Sequence, residues 1–233
     1  YMHMLVWSLK MDYSLLFRIP GITIKECIQL ILLKYFYYLK DSLFGMPVDG
    51  RAVSVFGRRY HYHDPLGLAS LQRVYCEHYL LKRYVGDSPI IVDVGAHIGQ
   101  FNFFCAHYLQ ARRVISMEPL PECFALLKLN AMDEHDCFNV AVGGKCGQVT
   151  MHVSSIATQQ SSYVKSASDA YAAQLAVEME TLDTLVRKAN AAGAIDILKI
   201  DTEGSEYEIL CNGSKMLGQV RVVAVEMSVL RES

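Results

Sequence analysis

Short hydrophobic runs alternate with helix-length segments in the second half of the chain. Runs rich in valine and isoleucine predict β-strands at residues 89–94, 114–117, 139–142, 195–200 and 220–225. Helical spacing of apolar residues predicts helices at residues 99–109, 121–131, 181–189 and 206–210. This alternation predicts an α/β fold with a mostly parallel, doubly wound sheet, covered on both faces. The crossover rule then predicts that the strand containing Asp93 is central, between the strands that lead into Glu118 and Asp201.

The first 50 residues are predicted to form a helical appendage, and residues 51–233 the main domain. The most apolar stretch, residues 22–39, is interrupted by Lys25, Glu26, Gln29 and Lys34, which argues against a membrane span. Helical spacing predicts an amphipathic helix whose apolar face is formed by Ile24, Cys27, Ile28, Ile31, Tyr35 and Tyr38. We expect protein to cover this face, either the main domain or a second copy in a homodimer. The alternative is peripheral contact with a membrane, with Lys34 and Lys40 near the headgroups.

A glycine- and proline-containing loop at residues 45–50 is the predicted boundary between the two parts. A short β-hairpin follows, at residues 52–56 and 59–62, with its turn at Gly57. Arg58 and Arg59 beside this turn are expected to be solvated. His61 and His63 share one strand face, but local spacing offers no third ligand, so no metal site is predicted. Residues 70–84 read as a helix, and the serine-rich residues 154–168 as a long surface loop.

Composition excludes several classes of protein. A hydrophobic fraction of 52% with 20% charged residues is typical of a folded domain and excludes an intrinsically disordered chain. The net charge of −2 gives no broad basic surface, so nucleic acid is not expected as a partner. The seven cysteines are odd in number and widely spaced. They indicate buried free thiols in a reducing compartment, and hence a cytoplasmic protein, with membrane association as the alternative.

A glycine-containing turn follows the first strand of the predicted sheet. Residues 90–94 lead into Gly95, Ala96, His97 and Gly99, and then into a helix, an arrangement that lets a ligand approach the backbone. The turn lacks the GxGxxG pattern of dinucleotide-binding proteins. Glu118, at the end of the next strand, could accept hydrogen bonds from both hydroxyls of a ribose. Asp93 would repel a pyrophosphate but suits a cationic ligand, so the residues favour S-adenosylmethionine over a dinucleotide.

A second group of charged residues surrounds the strand at 195–200. Lys199 lies in the middle of this predicted strand, where a lysine is unfavourable unless it is paired. Asp201 is its nearest local partner, and Glu226 is another if the last two strands are neighbours. These groups would meet at the carboxyl end of the sheet, where open α/β folds bind ligands. Such a cluster can tune a base or position a hydroxyl, whereas a purely structural ion pair is the alternative.

Several motifs occur in a characteristic order. They are Val92-Asp93-Val94-Gly95-Ala96-His97-Ile98-Gly99, Met117-Glu118-Pro119, Val140-Ala141-Val142, Leu182-Asp183, Leu198-Lys199-Ile200-Asp201-Thr202-Glu203-Gly204-Ser205-Glu206 and Val225-Glu226. Together they resemble the FkbM-type methyltransferases, class I enzymes that depend on S-adenosylmethionine. The resemblance implies a Rossmann-like fold and O-methylation of a hydroxyl on a sugar, glycan or polyketide-like metabolite.

The resemblance also implies roles for individual residues. Asp93, Gly95 and Gly99, with Ala96 and His97 in the same turn, would surround the methionine part of the cofactor. Glu118 would bind the ribose, and Ala141 would lie near the adenine. Asp201 and Glu203 would lie beside the transferred methyl group, one of them as the base, with Lys199 and Glu226 as organising residues. Ser161 and Ser162 resemble a Ser-Ser segment of the family and are the predicted substrate contacts.

Two departures and two rival functions stay open at this stage. The family usually has Asn where this chain has His97. Class I methyltransferases continue beyond a fifth strand, so we expect either that a C-terminal part is absent from this chain or that the fold is abbreviated. The rivals are a non-catalytic, methyltransferase-like binding module and a Rossmann oxidoreductase; the intact Asp201 and Glu203 argue against the first and the missing GxGxxG against the second.

Overall fold

The computed structural model describes residues 2–44, 51–63, 65–154, 171–189 and 194–226. Its strands are β1 (Arg51–Val55), β2 (Arg58–Tyr62), β3 (Ile90–Val94), β4 (Arg113–Met117), β5 (Asp136–Phe138), β6 (Ala141–Val142), β7 (Gly147–Ser154), β8 (Tyr171–Glu180), β9 (Ile195–Ile200) and β10 (Val220–Val225). Its α-helices are α1 (Met2–Phe17), α2 (Ile24–Phe44), α3 (Pro65–His78), α4 (Gln100–Phe104), α5 (Pro121–Asn130), α6 (Leu182–Lys188), α7 (Glu206–Asn212) and α8 (Ser214–Leu217).

The central sheet of the described chain has five parallel strands in the order β10-β9-β3-β4-β5. The predicted α/β fold and the central position of the Asp93 strand are therefore confirmed. The runs of valine and isoleucine explain this placement, because β3, β4 and β9 are buried on both faces. The register sets Asp93 opposite Lys199 on one side and Ser116 on the other.

The strand predicted at residues 139–142 does not join the central sheet. The fifth strand of the central sheet is β5, whereas β6, inside the predicted 139–142 strand, joins a second sheet with the order β6-β8-β7 among the described residues. The side chain of Asn139 donates to the backbone oxygens of Glu118 and Pro119, which holds the chain where it changes sheet. The long antiparallel pair β7 and β8 was not predicted. It buries Met151, Val177 and Met179 on one face only, so it has no continuous hydrophobic run.

The helices differ from the predictions in detail. The predicted 99–109 helix is α4 followed by a turn of π-helix at Cys105–Leu109. The predicted 70–84 helix begins earlier, as α3, and ends in a 3₁₀ turn at Tyr79–Arg83. The predicted β-hairpin is present as β1 and β2, but Arg58 is not solvated as expected: its guanidinium stacks over the Phe103 ring, 4.9 Å from the centroid.

The N-terminal helices α1 and α2 form an antiparallel hairpin that packs on α3. Its buried side chains, Leu15, Cys27 and Leu30, join the same hydrophobic core as Tyr60, Tyr75 and Phe104. The predicted apolar face of α2 is therefore wrong in part, because Ile24 and Ile28 are exposed while Cys27 is buried. Lys34, expected near lipid headgroups, is buried and paired with Asp12. That ion pair fixes which face of α2 turns inward. The side chains of Tyr38 and Lys40 and the 45–50 boundary loop lie outside the described residues.

Three further observations concern membrane spans, metal sites and cysteines. No helix in the described part of the chain combines the length and apolarity needed to cross a membrane. Within the same residues, no three histidine, cysteine or acidic side chains are grouped as metal ligands would be. All seven cysteines lie in described segments and are free thiols, although Cys146 and Cys211 are exposed rather than buried.

Candidate functional site

The strands β3, β4, β9 and β10 end at a common cavity on the carboxyl edge of the central sheet. Most of the predicted site residues line it: Gly95, Ala96, His97, Glu118, Ala141, Lys199, Asp201, Glu203 and Glu226. Asp93 lies beneath the cavity, fully buried, and Gly99 packs against α5, where a Cβ atom would lie 3.0 Å from Leu127 Cδ1. Ser161 and Ser162 lie outside the described residues. The topology thus brings motifs from distant parts of the sequence to one place.

The turn after β3 is held tightly against the loop after β9. Gly95 has a φ of +78°, and a Cβ atom at this position would lie only 1.8 Å from the backbone oxygen of Asp201. Only glycine can therefore occupy this position without moving the second loop. His97 in the first turn and Glu203 in the second also have positive φ values, +50° and +57°. Non-glycine residues in this conformation are uncommon and concentrate at functional sites.

Glu118 links β4 to the turn after β3. Its two carboxylate oxygens accept hydrogen bonds from the backbone N–H groups of His97 and Leu120, each at 2.9 Å. Burial raises the pKa of Glu118 to about 7, although these two N–H groups oppose the shift. A carboxylate oxygen can accept more than one hydrogen bond, so Glu118 can hold the turn and still accept from a ligand in the cavity.

Lys199 is the cation at the centre of the site. Its ammonium lies 3.3 Å from Asp93 Oδ1, 3.4 Å from Asp201 Oδ2 and 3.4 Å from the backbone oxygen of Gly95. Burial opposes the charge on Lys199, but Asp93 and Asp201 outweigh it and raise the pKa of Lys199. Burial also raises the pKa of Asp93, against the attraction of Lys199. Apart from the Lys199 ammonium, neither carboxylate oxygen of Asp93 has a hydrogen-bond partner in the described chain. The cluster is charged, buried and incompletely hydrogen-bonded.

Glu206 fixes the loop that carries Asp201 and Glu203. Its Oε1 accepts from the backbone N–H and hydroxyl of Thr202, at 2.9 and 3.0 Å, and from the backbone N–H of Gly204 at 3.0 Å. Glu206 is buried at the first turn of α7, where a negative charge is also favoured by the helix N-terminus. The sequence contained this residue in its motif, but its role in shaping the loop was not predicted.

Helix α3 closes one side of the cavity and supplies residues that the sequence analysis missed: Arg73, Glu77 and His78. Arg73 bonds both carboxylate oxygens of Glu77 at 2.9 Å and Glu226 Oε1 at 2.6 Å. The expected pairing of Glu226 with Lys199 is therefore wrong, whereas the predicted pairing of Lys199 with Asp201 is confirmed, and Asp93 is a further partner. Lys199 and Asp93 are opposed in the register of β9 and β3, so strand order was the signal that could have indicated this pair.

A more open groove shares lining residues with the cavity. Both are lined by Arg73, Glu77, His78, Lys199, Asp201 and Glu226, and the groove continues along Leu80, Leu81, Tyr84 and Ala224. Burial and nearby Lys199 lower the pKa of His78 to about 4, so its ring is neutral near pH 7. Asp201 and Lys199 thus line both the cavity and the groove.

The residues of the cavity suit the chemical parts of S-adenosylmethionine. Glu118 offers a carboxylate for ribose hydroxyls, while the apolar Leu120, Val140 and Ala141 line the adjoining wall, where an adenine could pack. Asp201 and the Gly95 carbonyl offer negative potential to an ammonium or sulfonium group. The cavity therefore fits the cofactor that the sequence motifs imply.

Comparison with known proteins identifies the family of this chain. The family model described as the methyltransferase FkbM domain matches residues 93–232, more than half of the chain. No curated protein matched the sequence significantly. Similar solved structures include TYW2 from M. jannaschii in complex with AdoMet, at 13% identity and a TM-score of 0.30, with 47% of this chain and 67% of that chain covered. TYW2 from P. horikoshii in complex with MeSAdo is 15% identical with a TM-score of 0.31, and 48% and 53% of the two chains are covered.

The two solved structures are matched over only about half to two thirds of their length, and at this similarity they carry no inference about activity. The family match is different, because it spans both turns of the cavity, from Asp93 to beyond Glu226. It confirms the family that the sequence motifs indicated, and S-adenosylmethionine is the cofactor that membership implies. The chain belongs to the FkbM methyltransferase family.

Proposed function

We propose that this chain is an O-methyltransferase that transfers the methyl group of S-adenosylmethionine to a hydroxyl of a sugar, glycan or polyketide-like metabolite. The observation that carries the proposal is the position of Asp201 and Lys199 where the cavity and the groove meet. The cofactor would occupy the cavity beside Glu118, and the acceptor would enter along the groove. Asp201 would then lie between donor and acceptor, as a proton acceptor for an alcohol must.

On the donor side, the chain binds and orients the cofactor. Glu118 accepts hydrogen bonds from the ribose hydroxyls, and the wall at Ala141 contacts the adenine. Gly95 keeps the backbone close to the methionine part, because no side chain fits between it and Asp201. Asp93 acts from beneath, by keeping Lys199 charged and in place. Bound S-adenosylmethionine supplies an electrophilic methyl group on its sulfonium.

On the acceptor side, the chain aligns a hydroxyl and takes its proton. Asp201 or Glu203 accepts the hydroxyl proton as the oxygen bonds to the methyl carbon. The electron pair of the broken carbon–sulfur bond stays on sulfur, so the products are a methyl ether and S-adenosylhomocysteine. Lys199 limits the build-up of negative charge at this point, and Glu226 holds Arg73 at the mouth. Tyr84, 61% exposed in the groove, offers a flat surface on which a sugar ring could stack.

The test is an activity screen with isotopically labelled S-adenosylmethionine against sugars, glycans and hydroxylated metabolites, with products identified by mass spectrometry. We expect a methyl ether on one acceptor class and release of S-adenosylhomocysteine. Methylation of nitrogen or carbon would contradict O-methyl transfer. Binding of the cofactor without turnover on any acceptor would favour the non-catalytic module.

Two variants identify the base, with a third as control. Asp201→Asn and Glu203→Gln each remove a carboxylate without changing its size, and the variant that lacks the base should lose about 100-fold or more in rate. Glu178→Gln is the matched control, because Glu178 is an exposed carboxylate on β8 that does not line the cavity. If neither site variant slows the reaction more than this control, then the proposed base is wrong.

A further inference from the structure

Helix α2 presents a stripe of large apolar side chains to solvent. Ile24, Ile28, Leu32, Phe36 and Leu39 recur every three or four residues and are each between 45% and 69% exposed. This apolar stripe is about 22 Å long at 1.5 Å per residue. Helix α1 adds three exposed apolar residues at the same spacing: Leu9, Tyr13 and Phe17. Single exposed apolar residues are ordinary, but a patch of this size on a folded domain marks an interaction surface.

The helices of the hairpin cannot rotate to bury the apolar stripe. The buried Asp12 carboxylate fixes the opposite face of the hairpin. Asp12 Oδ1 accepts hydrogen bonds from Lys34 Nζ of α2 at 2.5 Å and from Gln72 Nε2 of α3 at 2.6 Å. Leu15 and Leu30 on that face are fully buried in the core. Rotating either helix outward would separate this ion pair and expose the core. The stripe therefore stays on the outer surface of the described part of the fold.

Every exposed charged side chain that the structure describes on the hairpin is basic: Lys10, Arg18 and Lys25. The acidic residues are occupied elsewhere. Asp12 is buried against Lys34, and Glu26 accepts from the N–H and hydroxyl of Thr23 at the start of α2. Arg18 and Lys25 lie at the closed end of the hairpin, beside the apolar residues Phe17 and Ile24. An apolar stripe flanked by cations matches the interface of a bilayer with anionic headgroups.

A second copy of the chain fits this surface less well. Two hairpins that met through the stripe would bring two sets of cations into one interface. Among the described hairpin carboxylates outside the core, only Glu26 could compensate them, and it is 28% exposed and already bonded to Thr23, so the cations would outnumber the acidic groups. The charge pattern therefore favours lipid over a twin subunit.

We propose that the α1–α2 hairpin lies flat on an anionic phospholipid bilayer, with the apolar stripe at the boundary between headgroups and acyl chains. Arg18 and Lys25 contact lipid phosphates, and neither helix crosses the membrane. The hairpin packs on α3, and α3 carries Arg73 and Glu77 into the cavity, so one helix connects the proposed membrane surface to the site.

Vesicle flotation tests this surface directly. We expect the protein to float with vesicles of phosphatidylcholine containing phosphatidylglycerol. It should bind vesicles of phosphatidylcholine alone at least about fivefold more weakly, since each nearby cation contributes about 1 kcal/mol on anionic lipid. Leu32→Glu should lower binding to the anionic vesicles at least about tenfold, because it buries a charge in place of a leucine. Leu129→Glu is the matched control: Leu129 is similarly exposed, on α5, and its substitution should leave flotation unchanged.

Thermal unfolding of both variants separates a surface effect from misfolding, because both residues are exposed and their melting temperatures should stay close to that of the parent. If Leu32→Glu has a clearly lower melting temperature than the parent, Lys25→Glu is used in its place. We expect Lys25→Glu to lower binding to the anionic vesicles about fivefold or more, and to leave binding to phosphatidylcholine alone unchanged. Absence of the parent from both vesicle fractions would overturn the proposal. So would equal flotation of Leu32→Glu and Leu129→Glu, or a dimer in sedimentation that Leu32→Glu dissociates, since a second copy would then cover the stripe.

Discussion

Two lysines are buried in the part of the chain that the structure describes, and their surroundings differ. Lys34, between α1 and α2, lies 2.5 Å from Asp12 Oδ1 and 2.9 Å from Ser8 Oγ. The same Asp12 carboxylate also accepts from Gln72 at 2.6 Å and from Tyr35 at 2.7 Å. Lys199, at the carboxyl edge of the central sheet, has no contact with its partner atoms shorter than 3.3 Å among the described residues. Its deepest partner, Asp93, has no hydrogen-bond partner in the described residues other than Lys199 itself.

We interpret this difference as one between a structural ion pair and the functional one proposed above. Buried charges normally gather enough hydrogen bonds to offset the loss of water, and the Asp12–Lys34 group does so within the protein. The Lys199 cluster keeps unused capacity and lines a cavity, as expected for groups that also serve a ligand. Removing each lysine should therefore have different consequences.

The largest effect is expected for Lys199→Met. The substitution leaves the Asp93 carboxylate buried without its cation. This should lower the free energy of unfolding by about 3–5 kcal/mol and favour protonation of Asp93. We expect methyl transfer to fall by about 100-fold or more, with a smaller loss in cofactor affinity and a displaced pH–rate profile. Steady-state kinetics gives the rate, calorimetry gives the cofactor affinity, and chemical denaturation gives the free energy of unfolding.

A second variant distinguishes charge from packing. Adding Asp93→Asn to Lys199→Met removes the uncompensated carboxylate and should restore most of the stability, but not the activity. Lys188→Met, which breaks an exposed pair with Glu180, is the control for both. A Lys199→Met variant with the parental rate and pH profile would mean that this pair only stabilises the strand.

Lys34→Met should reverse the pattern. It breaks the Asp12 network and should lower the free energy of unfolding by about 3 kcal/mol, since Gln72 and Tyr35 still donate to the remaining carboxylate. The rate per folded molecule should not change, because Lys34 lies outside the cavity. The comparison fails if this variant loses activity in proportion to Lys199→Met.

Glu206→Gln tests a positioning residue at the site. The amide keeps one oxygen but replaces an acceptor with a donor next to the Gly204 N–H, so the loop after β9 should loosen. We expect kcat to fall about tenfold, equivalent to about 1.4 kcal/mol, while cofactor affinity changes less. Glu122→Gln, an exposed carboxylate in the first turn of α5, should be neutral. A loss of stability with unchanged kcat would reduce Glu206 to a structural role.

The smallest effect concerns pH and Glu118. Its pKa of about 7 in the fold is above the ordinary value of 4.5 because of burial. As pH rises from 6 to 8 the carboxyl ionises and becomes a better acceptor for ribose hydroxyls, so affinity for S-adenosylmethionine should increase by up to about tenfold.

Glu118 should affect stability with the opposite sign. Between pH 4.5 and about 7 the folded state keeps a proton that the unfolded state releases, so its contribution to stability falls as pH rises. Glu118→Gln should flatten both profiles when they are followed by calorimetry and thermal unfolding. It should also cost some stability, because it disturbs the bonds from His97 and Leu120.

Motifs with strong local patterns were predictable, and contacts between distant segments were not. The valine- and isoleucine-rich runs identified β3, β4, β9 and β10, and the strand-end positions of Glu118 and Asp201 follow from them. The Asp93–Lys199 pair depends on strand register, which no local pattern encodes. Arg73 comes from α3, far from the motifs in sequence, and only tertiary packing brings it to Glu226. The face of α2 was misjudged because Lys34 is polar, and polarity alone predicts exposure.

A crystal structure of the chain with S-adenosylhomocysteine tests the central claim, that the incompletely bonded cluster at the carboxyl edge is the cofactor site. We predict that the ribose hydroxyls lie about 2.7–3.2 Å from the Glu118 carboxylate, with the sulfur facing Asp201 and the adenine against Ala141. The ligand should leave the Asp12–Lys34 group unchanged. A ligand bound elsewhere, or one in the cavity that makes no contact with Glu118, would contradict the account.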